Sequence, residues 1–235
     1  MPGLFFVKIM DNNWEDILRF DDQLTEEERM IRDNVREYCN KSLMPRILDA
    51  NRNEIFHPEI YKEMGELGIL GASIQGYGCA GVGYVSYGLI TREIEKIDSS
   101  YRSAFSVQSS LAMFAIYQFG SEAQKDELLP QMAKGDLIGC FGLTEPDAGS
   151  DPGSMSSNAK KVDGGYNLNG SKTWITNAPV ADVFIIWAKD EQGVLRGFIA
   201  RKGSKGLDTK VLQGKFALRA SITGQIFMSD VFIPD

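Results

Sequence analysis

Two short stretches, residues 140–152 and 172–177, carry the side chains best suited to chemistry in this sequence. The first begins with an apolar run that predicts a buried strand, and it breaks at Pro146 into a loop rich in Gly, Ser and Asp. Backbone N–H groups and the hydroxyls of Thr144 and Ser150 are expected to lie close together there. Such a loop can bind a phosphate, or a flat heteroaromatic ring with carbonyl and nitrogen edges.

The second stretch reads K-T-W-I-T-N and predicts a strand. Trp174 offers an apolar face, and Thr176 places a hydroxyl two residues later on the same side of that strand. Taken singly, the first stretch is also compatible with an ordinary β-turn and the second with a core tryptophan.

A helix predicted over residues 101–119 has no charged side chain after Arg102, yet its serines and glutamines make it too polar to cross a membrane. We therefore expect a buried central helix. Arg102 lies at its N-terminal edge, followed by Ser103 and Ser106. An arginine that faces a buried region requires an anionic partner. That partner is either Glu95 or Asp98 in a salt bridge, or an anionic ligand.

Charge and cysteine content exclude several function classes. The 235 residues include 25 Lys and Arg against 32 Asp and Glu, a net charge of −7. This balance argues against a nucleic-acid partner, and an anionic substrate would need a local positive group. The three cysteines are far apart and lack metal-ligand spacing, which is typical of free thiols in a reducing compartment, and no metal site is predicted.

The first ten residues are briefly apolar but too short to span a membrane, and they are poor in arginine. We therefore expect a bacterial cytoplasmic protein without a membrane anchor, rather than a protein of the mitochondrial matrix.

Helical patterns occupy the first half of the chain. Thr25 and Glu28 form a capping-box pattern before a helix expected to end at Pro45, and a second helix is expected from Pro58 to Gly68. Residues 76–81 fit G-x-G-x-x-G, but a dinucleotide-binding unit needs a second parallel strand that the sequence lacks. These glycines are therefore expected to connect two helices. Further helices are predicted over 84–98, over 101–119, and from Ser121, which forms a second capping-box pattern with Gln124, to about residue 135.

The pattern changes after residue 137 to short alternating runs separated by Gly, Asn and Asp clusters, with Asn169-Gly170 as a hairpin signal. The predicted fold class is α+β: an N-terminal all-α helical domain followed by an antiparallel β-barrel or sandwich domain. The predicted divisions are an N-terminal extension (1–24), a helical domain (25–135) and a β-domain (136–235).

The loop T-E-P-x-x-G-S-D and the strand W-I-T-N, in a β-domain that follows a helical domain, resemble the flavin-binding segments of the acyl-CoA dehydrogenase family. The resemblance runs from about residue 24 to residue 235. Stretches 98–110, 142–146 and 213–221 are most similar to the glutaryl-CoA dehydrogenase subfamily.

The resemblance implies a bound FAD and assigns residues to it and to the substrate. The expected cofactor-binding residues are Phe141, Gly142, Leu143, Thr144, Glu145, Pro146, Asp147, Ala148, Gly149, Ser150, Trp174, Ile175 and Thr176. Arg102, Ser103 and Ser106 would bind the distal carboxylate of a short diacid, Ser150 would contact the CoA thioester, and Glu95 would be a nearby modulator.

The implied reaction is oxidative decarboxylation of glutaryl-CoA to crotonyl-CoA and carbon dioxide, with electrons passed to an electron-transferring flavoprotein by a homotetramer. The family places its catalytic glutamate in a C-terminal helical domain, so no catalytic residue is assigned here. This chain alone is expected to bind flavin weakly or not at all and not to turn over. The alternatives are another acyl-CoA dehydrogenase, or a non-catalytic module with the same fold.

Overall fold

The structure is a computed structural model, and it describes residues 18–235. Most of the predicted N-terminal extension lies outside these residues, and its described end carries a 3₁₀ turn, Phe20–Gln23. The helices are α1 (Glu26–Tyr38), α2 (Met44–Asn53), α3 (Glu59–Glu66), α4 (Tyr84–Glu95), α5 (Ser99–Ser106), α6 (Phe114–Phe119) and α7 (Glu122–Ala133). The strands are β1 (Gly139–Gly142), β2 (Asn158–Val162), β3 (Gly165–Thr176), β4 (Val183–Asp190), β5 (Leu195–Arg201), β6 (Leu207–Val211) and β7 (Thr223–Pro234).

Both predicted capping boxes form. Thr25 Oγ1 accepts from Glu28 N at 3.2 Å and Glu28 Oε2 accepts from Thr25 N at 2.8 Å, and Ser121 and Gln124 bond in the same reciprocal way before α7. The predicted end of the first helix at Pro45 is wrong. A π-helical segment, Cys39–Leu43, joins α1 to α2, and Pro45 falls in the first turn of α2, where a missing N–H costs little.

The central helix forms as α5, a π-helical segment over Val107–Met113, and α6. Phe105, Ala112 and Met113 are fully buried in it. Gln108 is also buried: its Nε2 donates to the carbonyls of Met132 and Leu137, and its Oε1 accepts from Gly139 N at 2.7 Å. The helix is therefore connected through one side chain to the start of β1.

Residues 76–81 form turns between α3 and α4, so the prediction that they connect two helices is confirmed. Val82 N donates back to the Ala72 carbonyl at 2.8 Å. The three glycines of this segment adopt positive φ, with Gly76 at 81°. Glycine adopts this conformation without strain, as the turns here require.

The second half is one sheet in the order β1-β4-β2-β3-β7-β6, with β5 on β4. The predicted helical-then-β fold is confirmed, but the sheet is mixed rather than purely antiparallel. Strand β4 runs parallel to both β1 and β2, while the other pairs are antiparallel. The chain between β1 and β4 is long enough for a crossover connection between parallel strands. Turn signals in the sequence do not show whether two strands pair in parallel.

The predicted hairpin at Asn169-Gly170 is wrong, because both residues lie inside β3 at a register shift against β7. The hairpin turn is at Asp163-Gly164, between β2 and β3. Asn169 exchanges two hydrogen bonds of 2.9 Å with Asp230 instead. A Cβ on Gly170 would meet Ser157 Oγ at 2.4 Å, so glycine permits close packing here and does not mark a turn.

The hydrophobic core is continuous between the two halves. Val183 and Ile185 of β4 are buried in the helical cluster with residues of α5 and α7. Phe184 and Ile186 belong to a second hydrophobic cluster, which consists of residues from the second half of the chain. In residues 18–235, no helix is long and apolar enough to cross a membrane.

Candidate active site

Two strands that share one edge of β4 hold the ends of the predicted loop. Gly142 of β1 is in register with Ile186, and Asn158 of β2 is in register with Lys189. Residues 143–157 therefore leave the edge of β4 and return to it only three positions further along. Residues 143–157 are thus a long loop whose two ends are held by pairing with β4.

Backbone hydrogen bonds shape the loop itself. Glu145 and Ala148 bond to each other in both directions, at 3.1 and 3.2 Å, and this closes a tight turn. Thr173 N of β3 donates to the Thr144 carbonyl at 2.9 Å. Beyond this turn the tip of the loop, residues 146, 147, 149 and 150, is exposed.

A buried ion pair lies under the loop. Lys172 is fully buried, and its Nζ donates to Glu145 Oε1 at 2.8 Å and to the Leu143 carbonyl at 3.1 Å. The Glu145 carboxylate also accepts from Ser156 N, Ser156 Oγ and Ser157 N at 2.7–3.0 Å. The side chain of Glu145 therefore faces the protein, although the resemblance assigns this residue to the cofactor.

The electrostatics of this pair follow from burial and hydrogen bonding. Desolvation acts to raise the pKa of the Glu145 carboxyl, but the bonds from Lys172, Ser157 and Ser156 outweigh it and bring that pKa down to about 2. Burial lowers the pKa of Lys172, and the bond to Glu145 offsets part of that change. The Glu145 carboxyl is therefore charged at neutral pH, and its bond to Lys172 Nζ favours the charged form of that amine.

Trp174 lies on the open side of β3. Its indole is 62% exposed, its φ is +59°, and it falls within a register shift between Lys172 and Ile175. Ile175 is buried behind it, and Thr176 is partly exposed beyond. A non-glycine residue rarely adopts this backbone conformation, and here it presents a large apolar surface to solvent.

Arg102 pairs with Glu95, one of the two internal partners that the sequence left open. Its Nε lies 2.6 Å from Glu95 Oε2, and its Nη1 is 3.4 Å from Ser106 Oγ. Ser99 Oγ also bonds Glu95, and this bond, with a smaller contribution from Arg102, lowers the pKa of the Glu95 carboxyl. The side chain of Arg102 is 37% exposed, so its guanidinium remains open to solvent and to a ligand.

The two groups of predicted residues meet. Ser103 Oγ on α5 lies 3.5 Å from Thr176 Oγ1 on β3, and Thr173 of β3 bonds Thr144 of the loop. Helix α5, the end of β3 and the segment after β1 therefore come together in one region, and Arg102 and Trp174 lie on two of these elements.

Not every predicted residue turns toward this region. The Phe141 ring packs against Trp187, with ring centroids 5.9 Å apart, and belongs to the helical core. Gly142 and Ile175 are buried in the sheet. A separate cavity of about 650 Å³ lies between α6 and strands β4, β5 and β7; Phe119, Trp187 and Phe198 line it, but neither Thr144 nor Trp174 does.

The sequence analysis missed the role of Lys172, which it named only as the first residue of a stretch, and of Ser156 and Ser157. A lysine within a strand usually indicates a face of the strand that is open to solvent. The structural role of Lys172 is seen only from the burial of both Lys172 and Thr173 at the register shift.

The geometry suits a planar ligand with hydrogen-bonding edges. Thr144 N–H has no acceptor among the described residues, the tip of the loop is open, and the exposed indole provides a flat apolar surface nearby. No group of three or more His, Cys, Asp or Glu is placed to hold a metal ion within residues 18–235.

Family models match most of the chain. The model described as "Acyl-CoA dehydrogenase, N-terminal domain" matches residues 25–136, and the one described as "Acyl-CoA dehydrogenase, middle domain" matches residues 140–231. The chain belongs to the acyl-CoA dehydrogenase family. Its helical half and its sheet therefore correspond to two successive parts of that fold.

Individual relatives agree with the family. The chain is 36% identical over 221 residues to a mitochondrial isovaleryl-CoA dehydrogenase of Pongo abelii, covering 90% of this chain and 52% of the relative. It is 36% identical over 224 residues to a glutaryl-CoA dehydrogenase of Desulfococcus multivorans, covering 91% and 57%. A solved glutaryl-CoA dehydrogenase of Mycobacterium smegmatis in complex with FADH2 matches with a TM-score of 0.91 and 44% identity, over 93% of this chain and 56% of that one.

The chain thus spans about half the length of the relatives it matches. The isovaleryl-CoA and glutaryl-CoA relatives are equally identical to it at 36%, so overall identity does not decide the acyl group.

Proposed function

We propose that this chain supplies the flavin-facing and diacid-recognising parts of an FAD-dependent acyl-CoA dehydrogenase that acts on glutaryl-CoA. Electron-transferring flavoprotein as the electron acceptor and a homotetramer as the assembly follow from the family resemblance alone. When bound, FAD accepts the hydride that leaves the β-carbon of the acyl group.

One observation supports the substrate proposal: Arg102 has a partly exposed side chain and lies on the helix that contacts β3 at Thr176. Arg102 and Ser106 are one helical turn apart on α5, and Ser103 on that helix contacts Thr176. In a chain of net charge −7, a cation here is the local positive group that an acyl chain with a terminal carboxylate requires. An uncharged acyl chain would gain nothing from it.

The residues of this chain then have separate tasks. Arg102, Ser103 and Ser106 bind the distal carboxylate, and Glu95 competes with that carboxylate for the guanidinium. Thr144, Ser150 and the loop backbone donate to the ring edge, Trp174 and Thr176 flank the ring, and Ser150 also contacts the thioester. We assign no catalytic base among the described residues, since the Glu95 carboxylate is already bonded to Ser99 and Arg102.

Replacing Arg102 tests the substrate proposal. Titration calorimetry of the protein at saturating FAD compares glutaryl-CoA with butyryl-CoA for wild type and Arg102→Ala. We expect Arg102→Ala to weaken glutaryl-CoA binding about 100-fold and to leave butyryl-CoA binding within about threefold, because only the diacid loses a charge-assisted contact.

Arg92→Ala is the matched control, since Arg92 is an exposed arginine on α4 that forms no ion pair within residues 18–235. It removes the same charge and should change neither titration. Equal losses for both substrates in Arg102→Ala would refute the carboxylate assignment and favour an acyl-CoA dehydrogenase for uncharged chains.

A further inference from the structure

The buried ion pair between Lys172 and Glu145 lies beneath the loop of residues 143–157. Lys172 also bonds the peptide group that connects Leu143 to Thr144. Lys172 Nζ bonds the Leu143 carbonyl at 3.1 Å, and this carbonyl belongs to the same peptide group as Thr144 N–H. That N–H has no acceptor among residues 18–235. The ammonium is therefore bound to one end of a peptide whose other end is free.

Burial makes this contact specific. Lys172 is fully buried and Glu145 is 4% exposed, so neither reaches a ligand and neither is screened by water. Burying two charges is expensive, and it is tolerated only where hydrogen bonds satisfy both groups. Here the partners are Leu143 and Glu145 for the ammonium, and Lys172, Ser156 and Ser157 for the carboxylate. Together these contacts connect β3, the loop turn and the segment before β2.

We infer that Lys172, with Glu145, is a positioning residue that fixes the Leu143–Thr144 peptide so that Thr144 N–H points outward as a polarised donor toward the cofactor ring. This inference rests on the proposed flavin site. An ammonium on the carbonyl draws electron density along the peptide and strengthens its N–H as a donor. Such a donor favours an acceptor that gains negative charge, so it stabilises reduced flavin more than oxidised flavin.

The first test needs no cofactor. Lys172→Met alone would leave a buried, unpaired carboxylate. The test therefore uses the double variant Lys172→Met with Glu145→Gln, which buries no charge at these two positions. Hydrogen exchange is measured for the amides of Glu145 and Ala148, which the loop turn protects. We expect about tenfold faster exchange in the double variant at unchanged exchange in β4.

The second test measures affinity for oxidised and reduced FAD. The double variant should bind oxidised FAD about tenfold more weakly and reduced FAD about a further tenfold more weakly, which lowers the midpoint potential by about 30 mV for a two-electron couple. A merely structural role would weaken both forms equally and leave the potential unchanged. Lys160→Met is the matched control, because Lys160 is an exposed lysine on β2.

The outcomes are separable. Wild-type exchange in the loop of the double variant overturns the positioning inference, whatever happens with FAD. Faster exchange with an unchanged potential overturns the polarisation of Thr144 N–H. If the wild-type chain alone binds no FAD, the exchange measurement by itself decides whether the ion pair positions the loop, independently of the proposed function.

Discussion

At the scale of single residues, Glu145 shows how a carboxylate can be retained inside a protein. It accepts hydrogen bonds from Ser156, Ser157 and Lys172 while almost no part of it reaches solvent. These donors favour the charged form over the neutral one, and protonation would leave the donors and the Lys172 ammonium unsatisfied. The stability of the loop is therefore linked to pH.

The direction of that linkage is fixed by the lowered pKa. Because the folded pKa of Glu145 is about 2, below the value of 4.5 for a free glutamate, its contribution is fully present above about pH 5 and is lost as the pH falls toward 2. We expect Glu145→Gln to remove on the order of 3 kcal/mol from the free energy of unfolding at pH 7 and much less near pH 3.

Urea unfolding at a series of pH values measures this difference. Glu191→Gln is the matched control, because Glu191 is exposed in the turn between β4 and β5. A loss of stability in Glu145→Gln that is the same at both pH values would contradict the linkage and indicate a packing defect alone.

At the scale of elements, one arginine attaches the connection between β6 and β7 to the end of α2. Arg219 donates to the carbonyls of Asn51 and Arg52 at 2.9 and 3.1 Å and pairs with Glu54 at 2.6 Å. Glu54 has φ +55°, so the helix ends in a left-handed residue whose side chain is held by the same guanidinium. A cation at a helix C-terminus satisfies carbonyls that have no partner within the helix.

Arg219→Ala should lower the free energy of unfolding by about 2 kcal/mol, since it breaks several charge-assisted hydrogen bonds of partly buried groups. Thermal unfolding measures the loss. Arg52→Ala is the control, because the exposed Arg52 takes part only through its backbone carbonyl. If both variants unfold together, Arg219 does not hold the two elements.

Elements were predictable from the sequence wherever a local signal determined them. The capping boxes at Thr25 and Ser121 begin helices because their partners lie three residues away. The predictions of a helix end at Pro45 and of a hairpin at Asn169-Gly170 were wrong. The helix continues through a π-helical segment before the proline, and Gly170 lies inside a strand where Ser157 packs on it. The parallel pairs of β4 could not be read from alternation, which is the same in either direction.

For the candidate site, the sequence indicated which side chains gather but not which way each one faces. Ser103 and Thr176 do come together, and Arg102 bonds Ser106 on the same helix as Ser103. The burial of the Glu145 carboxylate and of Lys172 was not predictable, because a register shift in β3 places consecutive residues in the interior. Alternation assigns such residues to opposite faces.

At the scale of the whole molecule, the helical half and the sheet share their interior. Ile185 of β4 is buried in the helical cluster, and Gln108 of the central helix bonds to Gly139 of β1. Since residues of β4 complete the helical cluster, we expect a single cooperative unfolding transition.

Calorimetry tests this expectation directly. The wild-type protein should show one transition, and Ile185→Ala should lower its midpoint by removing about 2–5 kcal/mol of buried contact from both halves together. Val211→Ala, at a partly exposed position of β6, should change it little. Two separate transitions, with only one shifted by Ile185→Ala, would show that the halves are independent.

The way β4 carries both β1 and β2 on one edge has a consequence for how such a site can be modified. Because Gly142 and Asn158 are held three positions apart on a single strand, the exposed tip of the intervening segment can be lengthened or rewritten without changing the register of any strand pair, as long as Glu145, Ser156 and Ser157 are kept. New recognition chemistry can be grafted at that place while the surrounding architecture stays as it is.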